Sequence, residues 1–235
     1  MNVAVFAPDA AGHFAPLRAV IAGLADRGAT VHVLTARTFA AQVEAFGGRF
    51  TDLFGPYPLD AADDESLPVV SRYVTYAGHY AEAIVRDVSK LGVSLVVTDS
   101  FAVIGRVVAK ALGVPYVSVF AGHNMAPGPY IAHVRATRQV ESSDRCLRAV
   151  AVLRERYGIA DASPFSYADG LSPHLNLLCE PPEWLTADEL RVFEPAAFFG
   201  SLPPARTLDA RRPPAGFHGR SPKVYVALGT VPSAA

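Results

Sequence analysis

Cysteine is scarce in this sequence. The two present, Cys146 and Cys179, are far apart and form no CxxC pair. That excludes a disulfide-stapled scaffold, and the lack of any Cys/His cluster at zinc spacing excludes a structural zinc site; reduced thiols in a reducing compartment are expected. An excess of one charge is also missing: 21 Lys and Arg stand against 22 Asp and Glu, for a net charge of −1. There is thus no electrostatic footprint for nucleic acid or an acidic membrane surface. No uninterrupted apolar run is long enough to cross a bilayer, since the stretch from Leu91 to Phe120 is broken by Asp99, Arg106 and Lys110. The apolar N-terminus has no basic flank and is interrupted by Asp9 and His13, so it reads as a strand and not a secretion signal. A soluble, cytoplasmic protein with no membrane span is expected. Several catalytic signatures are absent too: no GxxxxGK[ST], no GxGxxG after the first strand, no GxSxG around Ser100 or Ser118, and no HExxH.

What the sequence does have is apolar residues, 51% of 235, enough for one large domain or a domain plus a fragment. They fall in an alternating order. Val3 to Ala7 reads as a buried strand, Pro8 to Gly12 as a small-residue turn, and Phe14 to Arg27 as a helix ending at Gly28. Ala29 to Thr35 is a second strand. Thr38 is placed to cap a helix through Phe46, closed by Gly47 and Gly48, and Arg49 to Leu53 is a short third strand. Phe54 to Pro68 reads as a loop, then Val69 to Lys90 as a long amphipathic helix. Val93 to Thr98 is apolar at its centre, as a strand buried on both faces should be, with Asp99 and Ser100 just past its end. Phe101 to Leu112 is a helix closed by Gly113, Pro115 to Phe120 a fifth strand, and Ala121 to Pro129 a loop. Ile131 to Tyr157 is one long helix or two short ones, and Ser163 to Ser172 is irregular. His174 to Cys179 is a sixth strand, Pro181 to Leu185 a short extended piece, and Ala196 to Phe199 a final strand.

From Leu202 to Pro222 the composition shifts to Pro, Arg and Gly, which reads as a linker. Lys223 to Leu228 then starts a new strand, followed by Gly229 and Thr230. The expectation is an α/β domain over residues 1–201, a linker over 202–222, and over 223–235 the opening strand and loop of a second domain that is missing. Arg206, Arg211, Arg212 and Arg220 read as a solvated linker, and Trp184 as packing.

Alternating strands and helices with right-handed crossovers bring the ends of the first, fourth and fifth strands to one sheet edge. His13, Asp99 and His123 follow those strands. A carboxylate beside an imidazole orients it and stabilises the imidazolium, which suits a general base for a hydroxyl near neutral pH. The competing reading is that His13 and Asp99 merely cap the helices they precede. Phe14, Phe101, Phe120 and Met125 at the same edge suit an apolar ligand pocket, with His123 and Asn124 as hydrogen-bonding groups; core packing and turn chemistry are the alternatives. Tyr73, Tyr76 and Tyr80 recur at helical spacing, as a core stripe or a pocket border.

Three segments together resemble a known family. GHFAPLRAVIAGLADRGATVHVLT resembles the opening of the family 1 glycosyltransferases, the UDP-glycosyltransferase superfamily, and among them the bacterial macrolide and natural-product type. LVVTDSFAVIGRVVAKALGVPYVSV resembles their later segment, with Asp after the strand and GVP entering the next. KVYVALGT resembles the strand that starts their nucleotide-binding domain. The resemblance implies the GT-B architecture of two facing Rossmann-like domains, with this chain as the N-terminal, acceptor-binding half: a Rossmann-like parallel sheet flanked by helices. It implies His13 as base and Asp99 as its partner in inverting transfer of a sugar from a nucleoside diphosphate to a hydroxyl of an apolar small molecule. It implies no metal and no cofactor, only a UDP- or TDP-sugar as co-substrate bound through the missing domain. Phe14, Tyr76, Phe101, His123, Asn124 and Met125 fall on the acceptor side, and Gly12, Gly229 and Thr230 on the donor side. Two departures stand out: Ala15 replaces the Asn that many relatives carry before the Pro of the GHxxP turn, and the donor motif of the second domain is absent, so the chain alone is expected to be inactive. A stand-alone module binding a partner or small ligand, and a nucleotide-sugar epimerase of the same architecture, are the alternatives; sugar, aglycone and oligomeric state are open.

Overall fold

The computed structural model describes residues 1–59, 71–121, 126–137 and 143–199. The proposed linker, the segment 223–235, and the candidates His123, Asn124, Met125, Gly229 and Thr230 lie outside the described residues. The elements, in chain order, are β1 (Asn2–Phe6), α1 (Ala11–Asp26), β2 (Thr30–Thr35), α2 (Ala40–Ala45), β3 (Arg49–Asp52), α3 (Arg72–Ser89), β4 (Leu95–Asp99), α4 (Val103–Leu112), β5 (Tyr116–Phe120), α5 (Pro127–Thr137), α6 (Asp144–Tyr157), β6 (Leu175–Leu178), α7 (Ala187–Val192) and β7 (Ala196–Phe198). The strands form one parallel sheet of seven, ordered β3-β2-β1-β4-β5-β6-β7.

Alternation along the strands divides the core in two. Ala4 and Phe6 of β1 and Val96 of β4 face a layer built with α3, α4 and α6. Val3, Val5 and Ala7, with Val97 and Val119, face α1 and α2 through Phe14, Leu17, Ile21, Val43 and Phe46. Because both faces of the central strands are covered, Val3 to Ala7 have no exposed surface at all, which is why β1 and β4 read as continuous apolar runs. Among the described residues no helix is long and apolar enough to cross a membrane.

Local chemistry sets the boundaries, and in places moves them from the expected ones. Gly113 and Gly158 end α4 and α6 in left-handed conformations, at φ 65° and 64°, which glycine adopts without a Cβ clash. The stretch from Ile131 to Tyr157 is two helices. The second starts where the Ser143 hydroxyl accepts the Cys146 amide at 3.1 Å. Thr38 is not a cap: it lies inside a 3₁₀ turn, Arg37–Phe39, that leads into α2 without any side-chain cap. Pro127 to Pro129, expected in a loop, form the first turn of α5, where a missing amide hydrogen costs no helical bond. Pro182–Trp184 is a 3₁₀ turn and not an extended piece, and α7 follows it behind a reciprocal cap between Thr186 and Glu189, a T-x-x-E signature legible in the sequence. Trp184 is 67% exposed and does not pack.

Close helix contact is concentrated at two glycines. A Cβ on Gly105 of α4 would come within 2.6 Å of the Thr98 Cβ, bringing α4 hard against β4. A Cβ on Gly78 of α3 would come within 2.5 Å of the Ala149 Cβ and 2.6 Å of its Cα on α6. Gly78→Ala therefore sets an overpacking cost of about 1–3 kcal/mol against a helix-propensity gain of about 1 kcal/mol. Equilibrium denaturation should show a lower midpoint for this variant; an unchanged midpoint would mean that α3 and α6 separate freely.

Candidate active site

The strand order reverses between β1 and β4, which lie side by side with Phe6 opposite Thr98. In open parallel sheets the crevice beyond the strand ends at such a reversal is where ligands bind. Two side chains meet there. Asp99 is the last residue of β4, not just beyond it, and its side chain is fully buried; His13 is the third residue of α1, with 20% of its side chain exposed.

The His13 Nδ1 lies 3.0 Å from Asp99 Oδ1 and 3.1 Å from Oδ2. The Phe101 amide donates to the same Oδ1 at 2.9 Å. An ionised carboxylate only accepts, so with this partner Nδ1 carries the imidazole hydrogen and Nε2 the free lone pair. Among the described residues Nε2 has no hydrogen-bond partner. Neither residue caps a helix. The N-caps of α1 and α4 are Ala10 and Ala102, without side-chain bonds, so the capping alternative does not describe this pair.

Burial pulls the His13 pKa down, but the hydrogen bond and the negative charge of Asp99 push it up and prevail, so His13 titrates above its ordinary range. Burial likewise pushes the Asp99 carboxyl up, against the opposing pull of His13 and of the Phe101 amide. The pair retains a proton more strongly than either group would in water. Its chemical capacity is that of an oriented imidazole which takes a proton at Nε2 while Asp99 balances the charge.

Phe101 covers one face of the imidazole, with ring centroids 4.0 Å apart. Tyr167 stands edge-on to Phe101 at 5.4 Å, and Tyr73 lies 6.4 Å from it. Tyr130 of α5 stands edge-on to Tyr167 at 6.3 Å. An aromatic wall thus runs from His13 to α5. Tyr130 and Tyr167 carry no periodic signal in the sequence, because the irregular segment 163–172 delivers one and a helix opening on two prolines delivers the other.

Of the other candidates, Gly12 precedes His13 in the same helical turn. Phe14 does not reach the crevice: one residue on, the helix has rotated by about 100°, and Phe14 is 1% exposed and stacked on Phe39 at 4.5 Å beneath α1. Tyr76 is buried as well. Its hydroxyl donates to the Leu53 carbonyl at 3.2 Å, and the void it lines with Ala7, Pro8 and Tyr73 is about 10 Å³, room for one water at most. Tyr80 packs between Tyr57 and Tyr76, so the tyrosine stripe of α3 is chiefly core. Phe120 is half-buried and edge-on to Phe193. A larger groove of about 660 Å³, lined by Arg106, Lys110, Tyr116 and His174 among others, lies at the start of β5, on the sheet edge opposite His13. Among the described residues no group of three His, Cys, Asp or Glu side chains is placed to hold a metal.

The electrostatic assignment has a direct check. Replacing Asp99 with Asn removes the charge that raises His13 and leaves the lowering effect of burial, so the imidazole should titrate below its ordinary value of about 6.5, whereas in the unaltered chain it titrates above it. Histidine NMR titration reads both. By linkage, the stability contributed by the pair through His13 is present below the ordinary imidazole pKa and lost as pH rises through the raised one. Coincident titrations would remove Asp99 as the cause.

No protein-family model matches the sequence, and no curated protein does. Solved structures match the fold. The calicheamicin glycosyltransferase CalG4 superposes with a TM-score of 0.66 at 20% identity, over 85% of this chain and 51% of that one. The glycotransferase of kitacinnamycin gives 0.65 at 19%, over 91% and 55%. The glycosyltransferase VinC, solved in complex with DTDP, gives 0.50 at 17%, over 77% and 49%. The chain spans about half the length of these structures. Its fold is that of one Rossmann-like half of a GT-B glycosyltransferase.

Proposed function

We propose that this chain is the acceptor-binding half of an inverting, metal-independent glycosyltransferase that moves a sugar from a nucleoside diphosphate to a hydroxyl of an apolar small molecule. The observation that carries the reading is the His13–Asp99 pair at the strand reversal, with Nε2 unengaged beside an aromatic wall. The fold shared with the calicheamicin glycosyltransferase CalG4, the glycotransferase of kitacinnamycin and the glycosyltransferase VinC, the last solved with DTDP, supports the reaction class and a nucleotide-sugar donor.

In this mechanism Nε2 takes the proton of the acceptor hydroxyl as its oxygen attacks the anomeric carbon. The bond from that carbon to the nucleoside diphosphate breaks on the opposite face, so the configuration inverts. The proton passes to His13, whose new charge is balanced by Asp99 through Nδ1. The leaving diphosphate carries off the bonding electrons and is stabilised by the other half of the enzyme, as helix N-termini and fixed dipoles do for phosphates. Phe101 and Tyr130, both half-buried and backed by the buried ring of Tyr167, offer an apolar acceptor a surface, an arrangement typical of small-molecule sites with few polar groups.

The test is an assay of the intact enzyme with a panel of UDP- and TDP-sugars and apolar hydroxylated acceptors. His13→Ala should lower transfer by roughly 10²- to 10⁴-fold, the usual worth of a general base, while acceptor binding is largely kept. Turnover equal to that of the unaltered enzyme would remove His13 as the base.

A further inference from the structure

Helix α1 carries His13 in its first turn, where the Ala10 carbonyl accepts the His13 and Phe14 amides at 3.1 and 3.0 Å, but no side chain caps it. Its N-cap is Ala10, which has no capping side chain, and no acidic residue follows in the first turn. Asp9 is the residue whose type suits that task, and it is engaged elsewhere. The Tyr73 hydroxyl donates to Asp9 Oδ1 at 2.5 Å, and Arg72 Nη2 donates to the same oxygen at 3.2 Å. The same Nη2 donates to the Tyr73 hydroxyl at 3.0 Å, and the guanidinium lies 4.9 Å from the Tyr73 ring centroid. Three side chains therefore close a clasp between the β1–α1 turn and the start of α3, across 64 residues of sequence.

Asp9 stands four residues before His13, in the turn directly preceding the N-cap Ala10 of α1. Tyr73 also belongs to the wall around His13, since its ring lies 6.4 Å from Phe101 and Phe101 covers the imidazole. The clasp itself is half-sheltered, with 32% of the Asp9 side chain and 16% of the Arg72 side chain exposed. A second tie on the turn is longer: Thr35 Oγ1 donates to the Pro8 carbonyl at 3.4 Å.

We propose that Tyr73 and Asp9 are positioning residues: their hydrogen bond sets where α1 begins and so holds His13 Nδ1 against Asp99. The proposal rests on the reading of His13 as the base only for its catalytic consequence. The geometric claim concerns the His13–Asp99 contact itself.

Tyr73→Phe removes the hydroxyl, keeps the buried ring and changes no charge. In NMR titrations of the chain, its His13 pKa should fall back toward the ordinary value of about 6.5 as the Asp99 contact loosens. In the intact enzyme kcat should fall by about tenfold, since a small misplacement of a reacting group is costly, with the acceptor KM nearly unchanged. Asp9→Asn keeps an oxygen for the Tyr73 hydroxyl, and Asp9 is not among the charges acting on His13, so that variant should stay closer to the unaltered titration than Tyr73→Phe. A folded Tyr73→Phe protein whose His13 titrates as in the unaltered chain overturns the proposal, whatever its melting temperature. A shifted titration in a protein that shows no sugar transfer keeps the clasp and overturns the catalytic reading instead.

Discussion

A carboxylate with no exposed surface is the constraint on which this site is built. Asp99 closes β4 between two apolar layers, where an ionised group is strongly disfavoured unless donors surround it. The donors come from two directions. One is the Phe101 amide, free to bond because the chain leaves β4 in a tight turn in which the Thr98 hydroxyl donates to the Ala102 carbonyl at 2.8 Å. The other is His13, delivered by α1. The turn after β4 can be that tight because α4 approaches β4 through Gly105, where a side chain would meet Thr98. Packing of α4 thus supports the electrostatics of the crevice: loosening it would withdraw one of the donors that make the buried charge tolerable.

The helix that delivers His13 does so under a handicap. The positive end of a helix disfavours an imidazolium in its first turn, and burial disfavours it further. The raised pKa of His13 is therefore the net of opposing effects, and the charge and hydrogen bond of Asp99 account for its direction. The upward shift thus depends on His13 touching a full carboxylate and not a neutral acceptor. The rotation of α1 then separates roles residue by residue. Phe14 goes to the core beneath the sheet and His13 to the crevice, so the same few residues anchor the helix and present its chemistry.

Much of this was legible in the sequence, and for identifiable reasons. Strands covered on both faces leave continuous apolar runs, which is why Val3 to Ala7 and the centre of β4 stand out. Gly113 marks a helix end that only a left-handed residue closes well. The His13–Asp99 meeting follows once a parallel order is assumed, because both residues sit at strand ends that topology brings together. What was not legible depends on phase or on distance. Tyr76 and Phe14 lie on elements that were correctly placed, but which face each takes depends on where the helix starts, and α1 starts earlier than its apolar spacing indicates. Asp9 stands out in the sequence only as a break in the apolar N-terminus and Tyr73 only as one of a tyrosine stripe; their pairing spans two crossovers. Trp184 reads as a core residue by type and is exposed because a 3₁₀ turn carries it outward. The cap at Ser143 is the signal that divides the stretch from Ile131 to Tyr157 into two helices, and the cap at Thr186 is the signal for α7, which the proline pair at Pro181 and Pro182 masks by suggesting an extended piece.

On the proposed reaction, the charges that move are divided between two bodies. The proton of the acceptor hydroxyl goes to Nε2 and its charge is compensated at Asp99, all within this sheet. The proposal assigns compensation of the leaving diphosphate to the other half, and among the described residues Arg72, whose guanidinium reaches the turn before His13, is bonded to Asp9 and Tyr73. A second cation, Arg106, is bonded to Asp161 in a cluster that belongs to the groove at the opposite sheet edge. For the proposed reaction, an imidazole held rigidly within this sheet is then a physical economy. The imidazole can be held by burial and by the turn of α1 without having to adapt to the donor. The contact of Nδ1 with the buried carboxylate then orients the imidazole independently of how the diphosphate is held.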